Sequence, residues 1–251
     1  MKNQKMQPAS LAGKRVLITG AARHIGREIA LNMAAAGAHV AITYLNSRRE
    51  GEETRSQIEG HGVRALAIPC DVREERSIRQ TVEKVNKEFG GIDVLVNNAA
   101  VYDTLEPEKI TVQQWDEMFD TNVRGPFLFS RTCAPYLRKR QGRIINLGSL
   151  GGARPWTTHA HYCQSKAALH MQTQLLAKAF APQIAVNCVA PGLIDFQEKP
   201  PSAFMRRMAK KTPMQRNGTN DDVAAAVLFF ATAPTFITGQ ILLVDGGLSL
   251  A

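Results

Sequence analysis

Two residues one helical turn apart, Tyr162 and Lys166, carry side chains that together could move a proton. They open the stretch Tyr162-Cys163-Gln164-Ser165-Lys166, which good helix-forming residues follow. Residues i and i+4 share one face of a helix, so the ammonium is expected beside the phenol. A nearby positive charge favours the phenolate and lowers the pKa of tyrosine from its reference of about 10. The pair therefore predicts a proton donor or acceptor for an alcohol or carbonyl oxygen near neutral pH, with an ordinary surface pair as the alternative.

Two further polar residues are placed where they could assist this tyrosine. Ser149 follows the apolar run Ile144–Leu147, which predicts a strand. In an open α/β sheet, ligands bind beyond the carboxyl ends of the strands, so we expect the serine hydroxyl to hydrogen-bond a substrate oxygen there. Asn122 lies inside a predicted helix, where asparagine is unfavourable. We expect Asn122 to bend that helix and to hold a water for proton relay.

A glycine-rich turn follows the first predicted strand and precedes a helix, in the segment Thr19–Gly26. Such a turn presents backbone N–H groups and a helix N-terminus to a pyrophosphate. Gly20 permits the tight turn, and Gly26 lets the helix pack close to the strand. The turn predicts a dinucleotide site, in which Arg23, His24 and Ile25 also take part; the alternative is a plain glycine turn.

The charges after the second strand favour one dinucleotide over the other. Folds that bind NAD usually place an acidic residue about 20 residues after the turn, on the ribose 2′-hydroxyl. From Ile29 to Arg49 this chain has no acidic residue, and the second strand ends at Tyr44. Arginine matches a 2′-phosphate with a planar fork of donors. We therefore predict NADP(H), bound with the help of Arg23, Asn46, Ser47 and Arg48, unless the arginines after the strand simply start a solvated helix.

Two more segments fit a nucleotide crevice. Asp71 and Val72 follow the third strand and are expected near an adenine edge. Asn98, Ala99 and Ala100 follow the fourth strand, where small residues let the backbone approach a ligand and amide side chains tie strand ends together.

The elements that must position these residues alternate regularly along the chain. Short apolar runs predict strands at 15–19, 39–44, 64–69, 94–97, 143–147, 185–190 and 240–244. Amphipathic stretches predict helices at 23–36, 48–59, 75–89, 112–140, 162–180 and 221–231. This alternation indicates a Rossmann-like, doubly wound parallel sheet of seven strands in a single α/β domain over residues 11–251. Residues 1–10 are expected to be a flexible arm, and the irregular segment at about 193–213 a substrate lid.

Composition sets the class of the protein. The 251 residues are 44% hydrophobic and 21% charged, ordinary for a soluble globular protein, and no apolar run is long enough to span a membrane. The net charge of +9 raises the possibility of a nucleic-acid partner, but the basic residues are mostly dispersed and we predict none. The four cysteines lack metal spacing, so we predict no metal and reduced thiols in the cytoplasm.

From about Leu11 to Leu250 the chain resembles the short-chain dehydrogenase/reductase family. The resemblance is carried by the glycine-rich loop, Asn97–Ala99, Asn122, Ser149, Tyr162, Lys166, Pro191-Gly192 and the terminal Val244–Gly247, all in family order and spacing. It implies a catalytic tetrad in which Tyr162 is the acid/base, Ser149 positions the carbonyl, Lys166 binds the nicotinamide ribose and Asn122 holds the relay water. It also implies that Pro191, Gly192 and Ile194 bind cofactor and that the chain is a homotetramer or homodimer.

Within that family the chain is similar to pteridine-reductase-like and 3-oxoacyl-acyl-carrier-protein-reductase-like members. The resemblance implies a small-molecule substrate, either a pterin or a ketone or 3-oxoacyl thioester, beside Tyr102, Ser149, Trp156 and Phe196. An NAD-dependent alcohol dehydrogenase and a non-catalytic NADP(H)-binding sensor or scaffold stay open as alternatives. The chain departs from the family pattern at Phe196, where threonine is common, and at His24, which replaces the middle glycine of the loop. The His24 side chain either crowds the pyrophosphate or points outward or towards the substrate.

Overall fold

The computed structural model describes residues 10–196 and 200–251, and seven strands of these residues form one sheet. The strands are β1 (Arg15–Ile18), β2 (His39–Tyr44), β3 (Ala65–Pro69), β4 (Val94–Asn97), β5 (Arg143–Leu147), β6 (Ala185–Pro191) and β7 (Ile241–Val244). Every neighbouring pair is parallel, in the order β3-β2-β1-β4-β5-β6-β7. The predicted fold class and all seven predicted strands are confirmed.

Eight α-helices lie within the described ranges, two more than the sequence predicted. They are α1 (His24–Ala35), α2 (Arg48–Glu59), α3 (Glu75–Phe89), α4 (Val112–Phe119), α5 (Gly125–Arg138), α6 (Ala160–Phe180), α7 (Ala203–Lys211) and α8 (Asn220–Thr232). The single helix predicted over 112–140 is divided by a π-helical segment, Asp120–Arg124. The predicted lid at 193–213 contains α7, whose first turn is capped because Met205 N–H donates to the Ser202 hydroxyl.

Two predicted segments extend beyond what the structure describes. Residues 1–9 of the expected N-terminal arm and residues 197–199 of the expected lid lie outside the described ranges. The start of the lid is hydrogen-bonded to Gly218, five residues beyond its end. Asp195 N–H donates to the Gly218 carbonyl at 2.8 Å, and Gly218 N–H donates to the Leu193 carbonyl at 3.0 Å. Leu193 and Asp195 therefore meet Gly218 beyond the carboxyl end of β6, and α7 lies between these positions in the sequence.

The core lies on both faces of the sheet and leaves one edge for ligands. One face is covered by α1 and α8, through side chains such as Ile29, Met33 and Phe230. The other is covered mainly by α3 and α5, through side chains such as Val82 and Phe129. Strand order reverses beside β1, whose neighbours are β2 and β4. At such a switch point the connections leave in opposite directions and open a crevice at the carboxyl ends.

Candidate active site

A cavity of about 360 Å³ at the carboxyl edge of the sheet brings together three of the four predicted catalytic residues. Ser149 reaches it from the turn after β5, and Tyr162 and Lys166 reach it from α6. The cavity is lined by Ile25, Asn98, Ala100, Tyr102, Leu147, Gly148, Ser149, Trp156, Tyr162, Lys166, Pro191, Gly192, Leu193, Ile194 and Phe196. All four predicted substrate-binding residues are therefore among its walls.

Lys166 is almost completely buried at the base of this cavity, with 4% of its surface exposed. Its Nζ donates to the Leu147 carbonyl at 2.8 Å and lies 5.7 Å from the centre of the Tyr162 ring. Burial disfavours the ammonium and lowers the pKa of Lys166 to about 8. The side chain is thus a cation at neutral pH and keeps two N–H donors for other partners.

Tyr162 is a phenol rather than a phenolate. Loss of water around its hydroxyl raises the pKa to about 12, and a hydrogen bond with Ser149 offsets only part of this rise. The prediction that Lys166 lowers the pKa of Tyr162 is wrong in this structure. The physical reason is that desolvation of the hydroxyl outweighs an ammonium that lies over the ring and is bonded to a backbone carbonyl.

Ser149 is fixed by the turn that follows β5. Its Oγ accepts a hydrogen bond from Gly151 N–H at 3.1 Å, at the start of a 3₁₀ turn, Leu150–Gly152. The hydroxyl proton is therefore directed away from the backbone amide and can be donated elsewhere. Buried His170 packs under this turn, with its Nε2 3.5 Å from Ser149 N. Burial, reinforced by the charge of Lys166, lowers the pKa of His170 to about 4, so the imidazole is neutral.

His170 was not predicted as a site residue, although the sequence carries a signal for it. It follows Lys166 by four positions in α6 and so lies on the same helical face. A histidine on an apolar helical face is common in protein cores, so this spacing alone does not distinguish a site residue from a core residue.

Asn122 lies in the π-helical segment and holds two parts of the site together. Its Oδ1 accepts from Val101 N–H at 2.9 Å, and its Nδ2 donates to the Val101 carbonyl at 2.9 Å and to Ser165 Oγ at 3.1 Å. The predicted continuous helix is interrupted at Asn122 by the π-helical segment, while the bend expected from this residue stays a prediction. The side chain is occupied by these protein partners and does not line the cavity, so its predicted part in holding a relay water stays a prediction.

A second, larger cleft of about 510 Å³ adjoins the cavity on the side of β1 and β2. Thirteen of the predicted cofactor residues line it: Gly20, Arg23, His24, Ile25, Gly26, Tyr44, Asn46, Ser47, Asp71, Val72, Asn98, Ala99 and Ala100. Pro191, Gly192 and Ile194 line the smaller cavity instead. Arg48, at the exposed start of α2, is not among the lining residues of either space.

The glycines of the turn after β1 form a cradle that side chains would fill. A Cβ at Gly20 would lie 2.7 Å from Ala99 Cα, and one at Gly26 would lie 2.5 Å from Asn98 Nδ2. Asn98 Nδ2 holds the turn by donating to the carbonyls of Thr19, at 2.9 Å, and Gly20, at 2.8 Å. With these glycines the backbone stays close to β4 and the N-terminus of α1 faces the cleft, as the pyrophosphate of a dinucleotide requires.

The cleft is lined by two arginines, and both of its carboxylates form ion pairs with one of them, Arg73. Arg23 is exposed and forms no ion pair with any described residue. Asp71 is clamped by Arg73, with Nη2 2.8 Å from Oδ2, and this hydrogen-bonded guanidinium lowers the pKa of the carboxyl. Arg73 lines the cleft without having been predicted, although its place two residues after Asp71 made the pairing possible. An anionic ligand in the cleft can thus meet a guanidinium that forms no ion pair with the described part of the chain.

Aromatic rings form one wall of the smaller cavity. Tyr102 meets Tyr162 edge to face, with ring centres 4.9 Å apart, and Trp156 is stacked nearly parallel to Tyr162 at 6.4 Å. The Tyr102 hydroxyl is held 2.5 Å from His159 Nε2, and Tyr102 is 60% exposed. The cavity that contains Tyr162 therefore has a largely aromatic wall.

Within residues 10–196 and 200–251, no cluster of three or more His, Cys, Asp or Glu side chains is arranged to bind a metal ion. In the same part of the chain, no helix combines the length and the apolarity that crossing a bilayer requires.

Comparison with known proteins identifies the family. The family model described as enoyl-(acyl carrier protein) reductase matches residues 20–249. A short-chain type dehydrogenase/reductase of Picea abies is 38% identical, over 94% of this chain and 93% of its own. A 3-oxoacyl-[acyl-carrier-protein] reductase FabG of Staphylococcus aureus is 36% identical, over 94% of this chain and 98% of its own.

Solved structures give the same result. A short-chain dehydrogenase of Burkholderia cenocepacia in complex with NADP superposes with a TM-score of 0.90 at 37% identity, over 95% of this chain and 99% of its own. A blue fluorescent protein from a metagenomic library, in complex with NADPH, has a TM-score of 0.90 at 32% identity, over 96% of this chain and 99% of its own. The chain belongs to the short-chain dehydrogenase/reductase family and is an oxidoreductase, as the resemblance of its motifs predicted.

Proposed function

We propose that the protein is an NADPH-dependent reductase that converts a carbonyl group into an alcohol. The observation that carries this proposal is the junction of the two spaces. The cleft with the glycine cradle and the cavity with Tyr162, Ser149 and Lys166 share Ile25, Asn98, Ala100 and Phe196 as walls. A dinucleotide bound in the cleft can therefore extend its nicotinamide end to the proton donor.

The protonation states favour reduction. When bound, the cofactor supplies a hydride to the carbonyl carbon. Ser149 donates a hydrogen bond to the carbonyl oxygen, and Tyr162, a phenol at neutral pH, gives that oxygen its proton. The alkoxide that forms is a much stronger base than a phenolate, so the proton transfer is favourable. Lys166 stays charged below pH 8, stabilises the phenolate that is left and offers its two remaining donors to the nicotinamide ribose.

The cleft supports NADP(H) as the cofactor. After β2, where an NAD site places a carboxylate, the walls are Leu45, Asn46 and Ser47. Arg23 also lines the cleft, and a guanidinium matches the charge and geometry of a 2′-phosphate. Two of the solved relatives described above contain NADP or NADPH.

The aromatic wall supports a substrate whose carbonyl adjoins an apolar or planar group. We infer a ketone or a 3-oxoacyl thioester as the first candidate, in keeping with the FabG relatives. A pterin is the second candidate, and the observation that favours it is the 60% exposure of Tyr102, whose ring could stack on a bicyclic substrate.

Replacement of Tyr162 by phenylalanine tests the proposed chemistry. Loss of a positioned acid costs roughly 10²- to 10⁴-fold in turnover. The measurement is NADPH oxidation with diketones, 3-oxoacyl thioesters, quinonoid compounds and dihydropterins, followed by NADPH binding to the variant. We expect turnover to disappear while NADPH binding is kept. Turnover of the variant at the wild-type rate, or equal use of NADH by the wild type, would contradict the proposal.

We further propose a homotetramer or homodimer that works in the cytoplasm. Exposed apolar side chains on α5 and α6, among them Phe127, Met171 and Leu175, support an association face. The four cysteines are all unpaired and buried, as in a reducing compartment.

A further inference from the structure

One contact links the glycine-rich turn to the segment after β6. The ring of His24, at the start of α1, lies against the ring of Phe196, with centres 4.7 Å apart and planes inclined at 35°. Phe196 follows the Pro191-Gly192 turn at the carboxyl end of β6. The two rings therefore connect two loops that belong to opposite sides of the switch point between β1 and β4.

The ring pair is placed between the two ligand spaces. His24 lines the 510 Å³ cleft, and Phe196 lines both that cleft and the 360 Å³ cavity. A ligand that occupies both spaces must extend past these rings. A ligand confined to the far end of the cleft, near Tyr44 and Asn46, need not.

Two further properties bear on this contact: the backbone conformation of His24 and the exposure of Phe196. His24 has a backbone φ of +52°, in the left-handed region where a side chain is unfavourable and glycine is not. Phe196 leaves 45% of its surface exposed, although it is a large apolar residue. A glycine at position 24 would relieve the backbone and remove the ring contact at once. The His24 side chain makes a ring contact with Phe196 that glycine could not make.

We propose that His24 and Phe196 form a clasp that retains the bound dinucleotide by closing over its central part. The proposal rests on the proposed binding of NADP(H). The clasp slows dissociation because the cofactor can leave only after the two rings separate. The clasp retains a dinucleotide that spans both spaces. It does not retain a fragment that consists only of the phosphorylated adenosine end, because that end is held by the walls after β2.

Dissociation of NADPH provides the test, because it is independent of turnover. The rate is measured by stopped-flow fluorescence as NADPH is displaced by excess NADP⁺, and equilibrium affinity by titration. We expect Phe196→Ala and His24→Gly each to raise the dissociation rate about tenfold. The double variant should be no faster than either single variant, since each breaks the same contact. Phe196→Trp, which keeps an aromatic ring, should stay within twofold of the wild type.

Two controls separate the clasp from a general disturbance of the lid or the cleft. Phe204→Ala removes a half-exposed ring of the same lid whose described ring contact is with Arg207, and it should leave the dissociation rate unchanged. Adenosine 2′,5′-bisphosphate, a fragment without the nicotinamide half, should bind Phe196→Ala and the wild type with equal affinity.

Several results would overturn the clasp. They are an unchanged dissociation rate in Phe196→Ala, tighter NADPH binding by His24→Gly, effects that multiply in the double variant, or an equal loss of affinity for the fragment. These outcomes leave the proposed reductase intact if the wild type still binds and oxidises NADPH. A wild-type protein that binds no NADPH would overturn both proposals.

Discussion

At the scale of single residues, burial decides the protonation states on which the proposed chemistry depends. The pKa of Tyr162 is raised to about 12 and that of Lys166 is lowered to about 8, and desolvation is the first cause of both. In both residues burial disfavours the charged form, yet the consequences differ at neutral pH. Tyr162 stays a neutral acid, as reduction requires, while Lys166 stays a cation whose burial costs stability.

Lys166→Met tests the cost of that buried cation. With the pKa lowered from 10.5 to about 8, the charged form disfavours folding by roughly 3 kcal/mol at pH 7, at about 1.4 kcal/mol per pKa unit. The buried Leu147 carbonyl would lose its donor, at a cost of about 1–2 kcal/mol. We expect a net stabilisation of about 1–2 kcal/mol at pH 7 and loss of turnover, measured by urea unfolding and NADPH oxidation.

The pH dependence of this difference has a definite sign. Between pH 8 and 10.5 the unfolded lysine holds a proton that the folded lysine has lost, so the wild type gains stability as pH rises. The advantage of Lys166→Met should shrink from pH 7 to pH 9.5. A variant that is less stable than the wild type at pH 7, or whose advantage grows with pH, would contradict the assignment.

Arg23→Ala tests the choice of cofactor. The guanidinium lines the cleft without an ion-pair partner among the described residues and can bond a 2′-phosphate. We expect the dissociation constant for NADPH to rise roughly 10- to 100-fold, in line with about 1.5–3 kcal/mol for a charge-assisted hydrogen bond, and that for NADH to change less than about twofold. Arg49→Ala is the matched control, because Arg49 is exposed and pairs with Glu53 at 3.5 Å. Equal effects on both dinucleotides would refute the role of Arg23.

At the scale of elements, the turn after β4 and the π-helical segment are joined through one amide. The extra backbone width of a π turn is typical of functional positions in helices. Here it coincides with Asn122, and three of the hydrogen bonds of this side chain connect the segment to Val101 and to Ser165 of α6. Because Ser165 lies between Tyr162 and Lys166, this connection also fixes the helix that carries them.

Asn122→Ala should therefore loosen the site as well as destabilise the fold. It leaves the N–H and carbonyl of Val101 without their partner, and we expect a loss of about 2–3 kcal/mol in urea unfolding. Turnover should fall at least tenfold at a temperature where the variant remains folded. Gln113→Ala, at an exposed position of α4, is the control and should do neither. Wild-type turnover in a folded Asn122→Ala protein would show that this connection does not position the site.

At the scale of the whole molecule, the sheet organises both the ligand site and the surface left for association. The covered faces of the sheet form the core, and the carboxyl edge holds the cleft and the cavity. The outer faces of α5 and α6 carry several exposed apolar side chains. Met171 and Leu175, one turn apart on α6, are 56% and 61% exposed.

Leu175→Arg tests the proposed association face. A charge placed in an apolar contact is costly to bury, so we expect a smaller particle than the wild type by light scattering after size exclusion. Gln80→Arg, at an exposed position of α3, adds the same charge elsewhere and should leave the mass unchanged. A wild-type monomer, or an unchanged mass for Leu175→Arg, would count against the proposed oligomer.

The sequence by itself determined the alternation of strands and helices and the parallel sheet, and it indicated most of the residues that meet at the carboxyl edge. Short apolar runs and i, i+4 spacing are local properties, and the order of the motifs can be read from the sequence alone. Thus Tyr162, Lys166, Ser149 and the glycine cradle were placed correctly at the carboxyl edge. The lack of an acidic residue after β2 can likewise be read directly from the sequence.

Only the tertiary structure decided how those residues behave. The direction of the Tyr162 pKa shift depends on the atoms that replace water around its hydroxyl, and those atoms come from distant segments. The π-helical segment, the neutral His170 beneath Ser149 and the contact between His24 and Phe196 likewise join residues far apart in the chain. Desolvation and long-range packing are properties of the assembled core, and a sequence pattern specifies them only through the fold.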